Sequence, residues 1–247
     1  MFYFMMAPVL TYNWILILAA VVPAVILMIT VYRSDKLEKE SRSLLGSLIR
    51  LGVLATLAAM LVERVGGWIL GAVADENSVI YNVILYFVIV AFAEEGAKYT
   101  AMWIRTWTSP EFNCQYDGVV YAVFVSLGFA LWENISYVTM YGFSVALVRA
   151  VTAVPGHACF GVFMGAYYGL AKGYDAMGDR SKSMLFRVLS VVVPALAHGT
   201  YDYIATIETD SDWIFILFVV ILFAVSYCLV RNMAKNDRYF ASRRYGR

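Results

Sequence analysis

Long uninterrupted apolar runs constrain this chain more than any other feature. From Val9 to Tyr32 no charged residue interrupts the sequence, a run longer than the roughly 20 residues that carry a helix across a bilayer. Polar breaks divide the chain into seven such segments, at approximately 9–32, 44–72, 79–104, 117–140, 150–171, 185–206 and 213–231. Hydrocarbon offers no partner to backbone N–H and C=O groups, so only helices and closed barrels cross it. Barrel strands alternate apolar and polar residues over short stretches, whereas these segments are continuously apolar. The expected fold is all-α, a polytopic transmembrane helix bundle of about seven spans. Gly66, Gly67 and Gly71 cluster within 62–78, where an eighth, re-entrant or interfacial, element would fit. Composition agrees, with 62 % apolar and 15 % charged residues where a soluble domain carries about 25 % charge. With no repeat, low-complexity stretch or soluble unit visible, residues 1–247 are expected to form a single integral membrane domain.

Basic residues give the bundle a direction. The loop after the first span carries Arg33, Lys36, Lys39 and Arg42, and the loop 172–187 carries Lys172, Arg180, Lys182 and Arg187. The connection near Asp75 and Glu76 has no basic residue, the turn near Gly142 has only Arg149 at its end, and the turn with Glu208, Asp210 and Asp212 is purely acidic. Basic loops stay cytoplasmic, which puts the N-terminus outside and the C-terminus inside, with 231–247 a basic cytoplasmic tail beside anionic lipid. Met1 to Pro8 lacks the basic region and cleavage site of a signal peptide, so the first run is expected to remain as a span. The net charge of +1 points to no nucleic-acid partner. Cys114, Cys159 and Cys228 lack metal-site spacing and are read as packing residues.

The functional signal lies in the ionisable residues at membrane depth. Each costs about 2.5–3.5 kcal/mol on insertion scales, so such residues face a protein interior and serve a purpose there. Glu94, Glu95, Lys98, Glu133, His157, His198 and Asp202 all fall within predicted spans, and the two histidines are the only ones in the chain. Glu94 and Lys98, one helical turn apart, can pair, while Glu95 points about 100° away. One carboxylate held by the lysine and a neighbour facing a cavity would suit general-base work. Glu133 and Tyr137 share a helix face, Asn134 can bond across helices, and Asp117 reads as a helix cap or dipole partner. His157 follows Pro155 and Gly156, and Gly161, Gly165 and Gly169 offer a flat face for close helix packing. On the sixth span His198 and Asp202 share a face, so the aspartate can orient the imidazole or bind the same ion.

Taken together and in this order, these stretches resemble the PrsW family of intramembrane proteases, within the wider group of the type II CAAX prenyl endopeptidases. The carriers are Glu94-Glu95-x-x-Lys98, then Asp117-Gly118-x-x-Tyr121 leading to Gly128-Phe129-Ala-x-x-Glu133-Asn134, then Pro155-Gly156-His157, and last His198-x-x-x-Asp202. The resemblance covers the middle four spans, a catalytic core at approximately 79–206. It implies endoproteolysis of a single-span, membrane-anchored substrate such as an anti-sigma factor. By motif position it implies that Glu94 and Glu95 activate water, with Glu133, His157 and His198 completing the site and Lys98, Asn134 and Asp202 in support. There is no H-E-x-x-H motif. A catalytic Zn2+ needs about three protein ligands, which His157, His198 and Glu133 or Asp202 can supply. In a metal-free alternative, a glutamate is the base and the histidines stabilise the oxyanion.

Two other classes compete. A transporter or proton-coupled carrier also buries carboxylates and histidines, but paired inverted halves are not visible. A non-catalytic scaffold leaves the grouping of both histidines with the glutamates unexplained. At 1.5 Å per residue, Glu133, His157, His198 and Asp202 fall in the outer half of the predicted bundle and Glu94 and Glu95 nearer its middle. Either the third span is shifted or tilted, or the site is a cavity reaching inward from outside.

Overall fold

The structure, a computed structural model, describes residues 2–206 and 212–240. Glu208 and Asp210 of the acidic turn and residues 241–247 of the basic tail lie outside the described residues. The helices are α1 (Phe2–Ser34), α2 (Arg42–Val73), α3 (Val79–Val83), α4 (Phe92–Thr106), α5 (Asp117–Tyr141), α6 (Phe143–Val151), α7 (Ala153–Met177), α8 (Arg180–Thr206) and α9 (Trp213–Lys235). A π-helical segment, Ile84–Ala91, joins α3 to α4 without a break, and the three together form the third predicted span. No strand occurs among the described residues beyond one isolated bridge between Cys114 and Tyr239.

Six helical stretches are long and apolar enough to cross a membrane among the described residues, and each of the seven predicted segments falls on a helix. The eighth element expected within 62–78 is absent as a separate unit, because α2 continues as one 32-residue helix to Val73. Of the three glycines within 62–78 only Gly66 sits at a close helix contact, while Gly67 faces open space. A side chain at Gly66 would collide with Ile89 of the π segment. The added element lies elsewhere, in α6, a nine-residue helix set off by Gly142. At Gly142 φ is 86°, a backbone region that glycine enters without cost. Its amide closes α5 on Val138 O, and the chain then turns into α6.

The bundle is built around α5, which is buried from Asp117 to Ala130. Glycine-to-backbone contacts hold it on two sides. Gly52 and Gly128 bring α2 against it, and Gly161, Gly165 and Gly169 bring α7 against it beside Gly118. A Cβ at any of these would strike main-chain or buried atoms, so the small-residue stripe on α7 is a packing face as expected. At the end carrying the basic loops the bundle is closed. Phe112 stacks on Tyr168 with centroids 5.0 Å apart, Trp107 and Tyr121 pack around them, and Thr106 bonds Tyr168 at 2.9 Å. Asp117 is the first residue of α5 rather than its cap: Tyr116 holds the cap position, and Asp117 Oδ2 accepts the amides of Asn113 (3.0 Å) and Cys114 (2.7 Å) in the preceding loop, its charge lying in the first turn where it suits the helix dipole. It lies in this closed end, apart from the residues described next.

Candidate active site

Four helices deliver the buried polar residues to one place. Glu94, Glu95 and Lys98 stand on α4 just after the π segment, Glu133 on α5, His157 on the first turns of α7, and His198 and Asp202 on α8. Gly199 explains how α8 comes near enough. A Cβ there would meet Phe87 of the π segment, including its backbone. The π segment itself adds a residue to each turn and re-aims the helix face that follows.

Lys98 is at the centre. Its ammonium lies 3.0 Å from Glu94 Oε2, 2.7 Å from Glu95 Oε1 and 3.0 Å from His157 Nδ1, with Phe129's ring centroid 4.1 Å away. Three donors meet three acceptors in a fully buried position. Because an ammonium can only donate, Nδ1 of His157 accepts, and its Nε2–H donates to Glu133 Oε2 at 2.7 Å. The same oxygen receives Arg149 Nη2 at 3.0 Å. His198 faces a carboxylate through each nitrogen, Glu95 Oε1 from Nδ1 at 2.9 Å and Asp202 Oδ2 from Nε2 at 3.3 Å. Phe160 stacks on the His198 ring, with centroids 4.7 Å apart. Contacts this short bring Glu94 and Glu95 together with His157, His198 and, through His157, Glu133, despite the offset along the spans expected from the sequence.

A cavity of about 760 Å³ lies over the cluster, walled by Glu94, Glu133, His157, His198 and Asp202 among aromatic and apolar side chains such as Tyr137, Met140 and Phe215. Here one expectation reverses. The sequence pairs Glu94 with Lys98 and leaves Glu95 to face a cavity. In the structure Glu95 is wholly enclosed between Lys98 and His198, and Glu94 bonds Lys98 while forming part of the cavity wall. The i,i+3 spacing from Glu95 to Lys98 bonds as well as the i,i+4 spacing from Glu94. Asn134 is interhelical glue as expected, its amide donating to Ala20 O at 3.2 Å.

Two cavity residues escaped the sequence reading. Arg149 on α6 bonds Glu133 and also, through Nε, Asn134 Oδ1 at 3.1 Å, and its guanidinium lies 3.9 Å from the Tyr137 ring centroid. It reads in sequence as one basic residue ending a turn. Glu63 on α2 lines the cavity with its Oε1 buried and unpartnered. Its signal was present, a carboxylate inside the span predicted at 44–72.

Glu94, Glu95, His157 and His198, all buried, offer ligand atoms within 4.8 Å of one another. Two carboxylates and two imidazoles are a donor set suited to a divalent transition metal. Glu133 and Asp202, expected as ligands beside the histidines, lie outside this group and bond the histidines from behind. A metal in this group would therefore use both α4 glutamates, with Glu133 and Asp202 orienting the imidazoles.

Residues 40–229 match the model of the family described as PrsW family intramembrane metalloprotease. The chain is 34 % identical over 208 residues to Protease PrsW of Bacillus subtilis (strain 168), covering 84 % of this chain and 89 % of that protein. It is 31 % identical over 210 residues to Protease PrsW of Shouchella clausii (strain KSM-K16), covering 85 % and 90 %. It is 29 % identical over 233 residues to Protease PrsW of Clostridioides difficile (strain 630), covering 91 % of each. No solved structure matches the chain significantly. The span of these matches and the helices long enough to cross a bilayer describe a multi-pass membrane protein, and the chain belongs to the PrsW family of intramembrane proteases.

Proposed function

We propose that this protease cleaves a single-span, membrane-anchored protein of the anti-sigma-factor type, with Glu94 as the base that activates water. The observation that supports this most is the division of labour between adjacent glutamates. Glu95 is enclosed and bonded by Lys98 and His198, whereas Glu94 reaches the cavity. A base must touch both the water and the space where substrate sits. Glu94 takes a proton from water as the oxygen adds to the scissile carbonyl carbon. On collapse the C–N bond breaks, and the departing amine receives the proton back from Glu94. The imidazoles of His157 and His198 line the same cavity, and either would meet the charge that builds on the carbonyl oxygen by exchanging one of its present bonds for it. A metal held by Glu94, Glu95, His157 and His198 would supply Lewis acidity toward water and carbonyl.

The cavity wall includes Tyr141, Thr206 and Asp212, so it opens at the end opposite the basic loops. With basic loops cytoplasmic, water enters from the extracytoplasmic side and cleavage falls near that edge of the substrate's span. Cysteine labelling that reached position 133 only from the cytoplasm would overturn this orientation. Function is tested with purified protein in bilayer nanodiscs and candidate single-span substrates. Wild type is expected to cleave, while Glu94→Gln, Glu95→Gln and His198→Ala lose cleavage and keep their helical content. Equal cleavage by all four would overturn the assignment. The carrier reading, which invoked the same buried groups, is set aside by the family match.

A further inference from the structure

The geometry points to Lys98 and a divalent metal as alternative occupants of one position, so that Lys98 controls how tightly the group Glu94, Glu95, His157 and His198 takes up a metal. The inference rests on reading that group as a ligand set. Three of its four residues already accept a hydrogen bond from the Lys98 ammonium, through an oxygen or nitrogen at 2.7–3.0 Å, and the fourth, His198, bonds the same Glu95 oxygen that Lys98 uses. Ligand atoms gathered within 4.8 Å of one another leave room for one cation at their middle, and the ammonium is already bonded to most of them.

The lysine is built into that position rather than resting beside it. It is fully buried, its three donors are all used, and Phe129 lies against the charge at 4.1 Å. A metal ion bonds its ligands at about 2.0–2.2 Å, so it would stand where the ammonium's hydrogen bonds now converge. Two cations cannot share this space, since like charges a few ångströms apart in a poorly solvated site repel strongly. Metal entry therefore requires Lys98 to swing away from all three acceptors together. The competing explanation is a structural ion pair that merely neutralises the two glutamates. It predicts the opposite response, because removing the lysine would then leave the carboxylates less ordered and the metal no better held.

Zinc binding separates the two. Full-length protein in nanodiscs is stripped with chelator, and zinc affinity is measured by competition with a chromophoric chelator, with stoichiometry from elemental analysis after dialysis. Lys98→Met and Lys98→Gln are each expected to bind one zinc about tenfold or more tighter than wild type, and Glu95→Gln added to either is expected to abolish the gain. Equal or weaker binding by both variants overturns the proposal. Should neither variant fold even with zinc present, the wild type decides. Weak zinc uptake, with Lys98 in place, supports exclusion, and one tightly held equivalent overturns it. Substrate cleavage by the same wild-type preparation is read separately, so an inactive protein and a failed exclusion are distinct results.

Discussion

Arg149 provides the sharpest test of how the site is held together. Its guanidinium bonds Glu133 Oε2 at 3.0 Å and Asn134 Oδ1 at 3.1 Å, and it packs on Tyr137. The two charged side chains are only 15 % and 19 % exposed, so solvent does not replace the lost partner freely. Substituting Met keeps the length and removes both bonds. A hydrogen bond to a charged group is worth about 1.5–3 kcal/mol, and Glu133 retains one donor in His157. The lost Glu133 bond alone therefore costs about 1.5–3 kcal/mol, shared between stability and the transition state, which corresponds to roughly 10- to 100-fold in rate if most of it falls on catalysis. Arg149 acts by fixing Glu133, and through Glu133 the ring of His157, so Arg149→Met should lower kcat and leave KM nearly unchanged. Lysine at 149 should recover part of kcat. A double-mutant cycle with Glu133→Gln should show coupling of about 0.5–3 kcal/mol, as for residues in one network. Cleavage kinetics in nanodiscs, alongside thermal melting, measure all three. A KM increase with normal kcat would mean that Arg149 contacts substrate instead, and unchanged kinetics with additive substitutions would refute the positioning argument altogether.

Glu94→Gln and Glu95→Gln should part in their effects. The first should remove cleavage with a smaller drop in melting temperature, because Glu94 bonds Lys98 at 3.0 Å but lies on the cavity wall. The second should also lower melting, by about 3 kcal/mol or more in stability, because it unpairs a fully buried Lys98 from its nearest carboxylate. Gly165→Leu should lower stability by about 1–3 kcal/mol or prevent folding, since its side chain enters the backbone of α5 at Gly118; normal melting would refute the glycine-face account. At the closed end, burial and the neighbouring Asp117 push the Glu40 carboxyl up from 4.5 to about 9. The folded state then holds a proton that the unfolded chain releases, so this group makes stability fall as pH rises between about 4.5 and 9. Glu40→Gln should flatten that slope and raise melting at neutral pH, as read by thermal unfolding at several pH values.

Which residues would gather was legible because apolar surroundings make each charge conspicuous. Glu94, Glu133, His157 and His198 are the kind of residue a bilayer excludes unless a protein interior receives it, and they do meet. The pairs Glu94–Lys98 and His198–Asp202 were legible from their i,i+4 spacing, but which glutamate faces the cavity was not. A regular helix fixes the angle between neighbouring side chains, but the π segment Ile84–Ala91 precedes the two glutamates. Which of Glu94 and Glu95 faces the cavity depends on that segment and on the approach of α8 at Gly199. Arg149 was hidden for a different reason. It stands on a helix too short to read as a span, where a basic residue carries topological meaning first. Gly66, Gly67 and Gly71 suggested a break, yet α2 runs on, with Gly66 set closely against Ile89 of the π segment. Glycine in a membrane helix marks close approach as readily as a turn.

The charge balance of the cavity links these points. Glu63, Glu94, Glu133 and Asp202 line it, with Glu95 directly behind, while Lys98 and Arg149 are the cations bonded to this set. Each cation bonds carboxylates on the site's own framework, Lys98 those of Glu94 and Glu95 on α4 and Arg149 that of Glu133 on α5, so neither is spare for a substrate. The remaining negative charge has to be met by protons on the histidines and carboxylates or by an added cation, because buried charges left unpaired are costly. Both routes serve hydrolysis, the first by keeping acids and bases side by side and the second by adding a Lewis acid. Lys98 decides between them in physical terms: while its ammonium occupies the ligand group, the first route operates, and only its withdrawal opens the second.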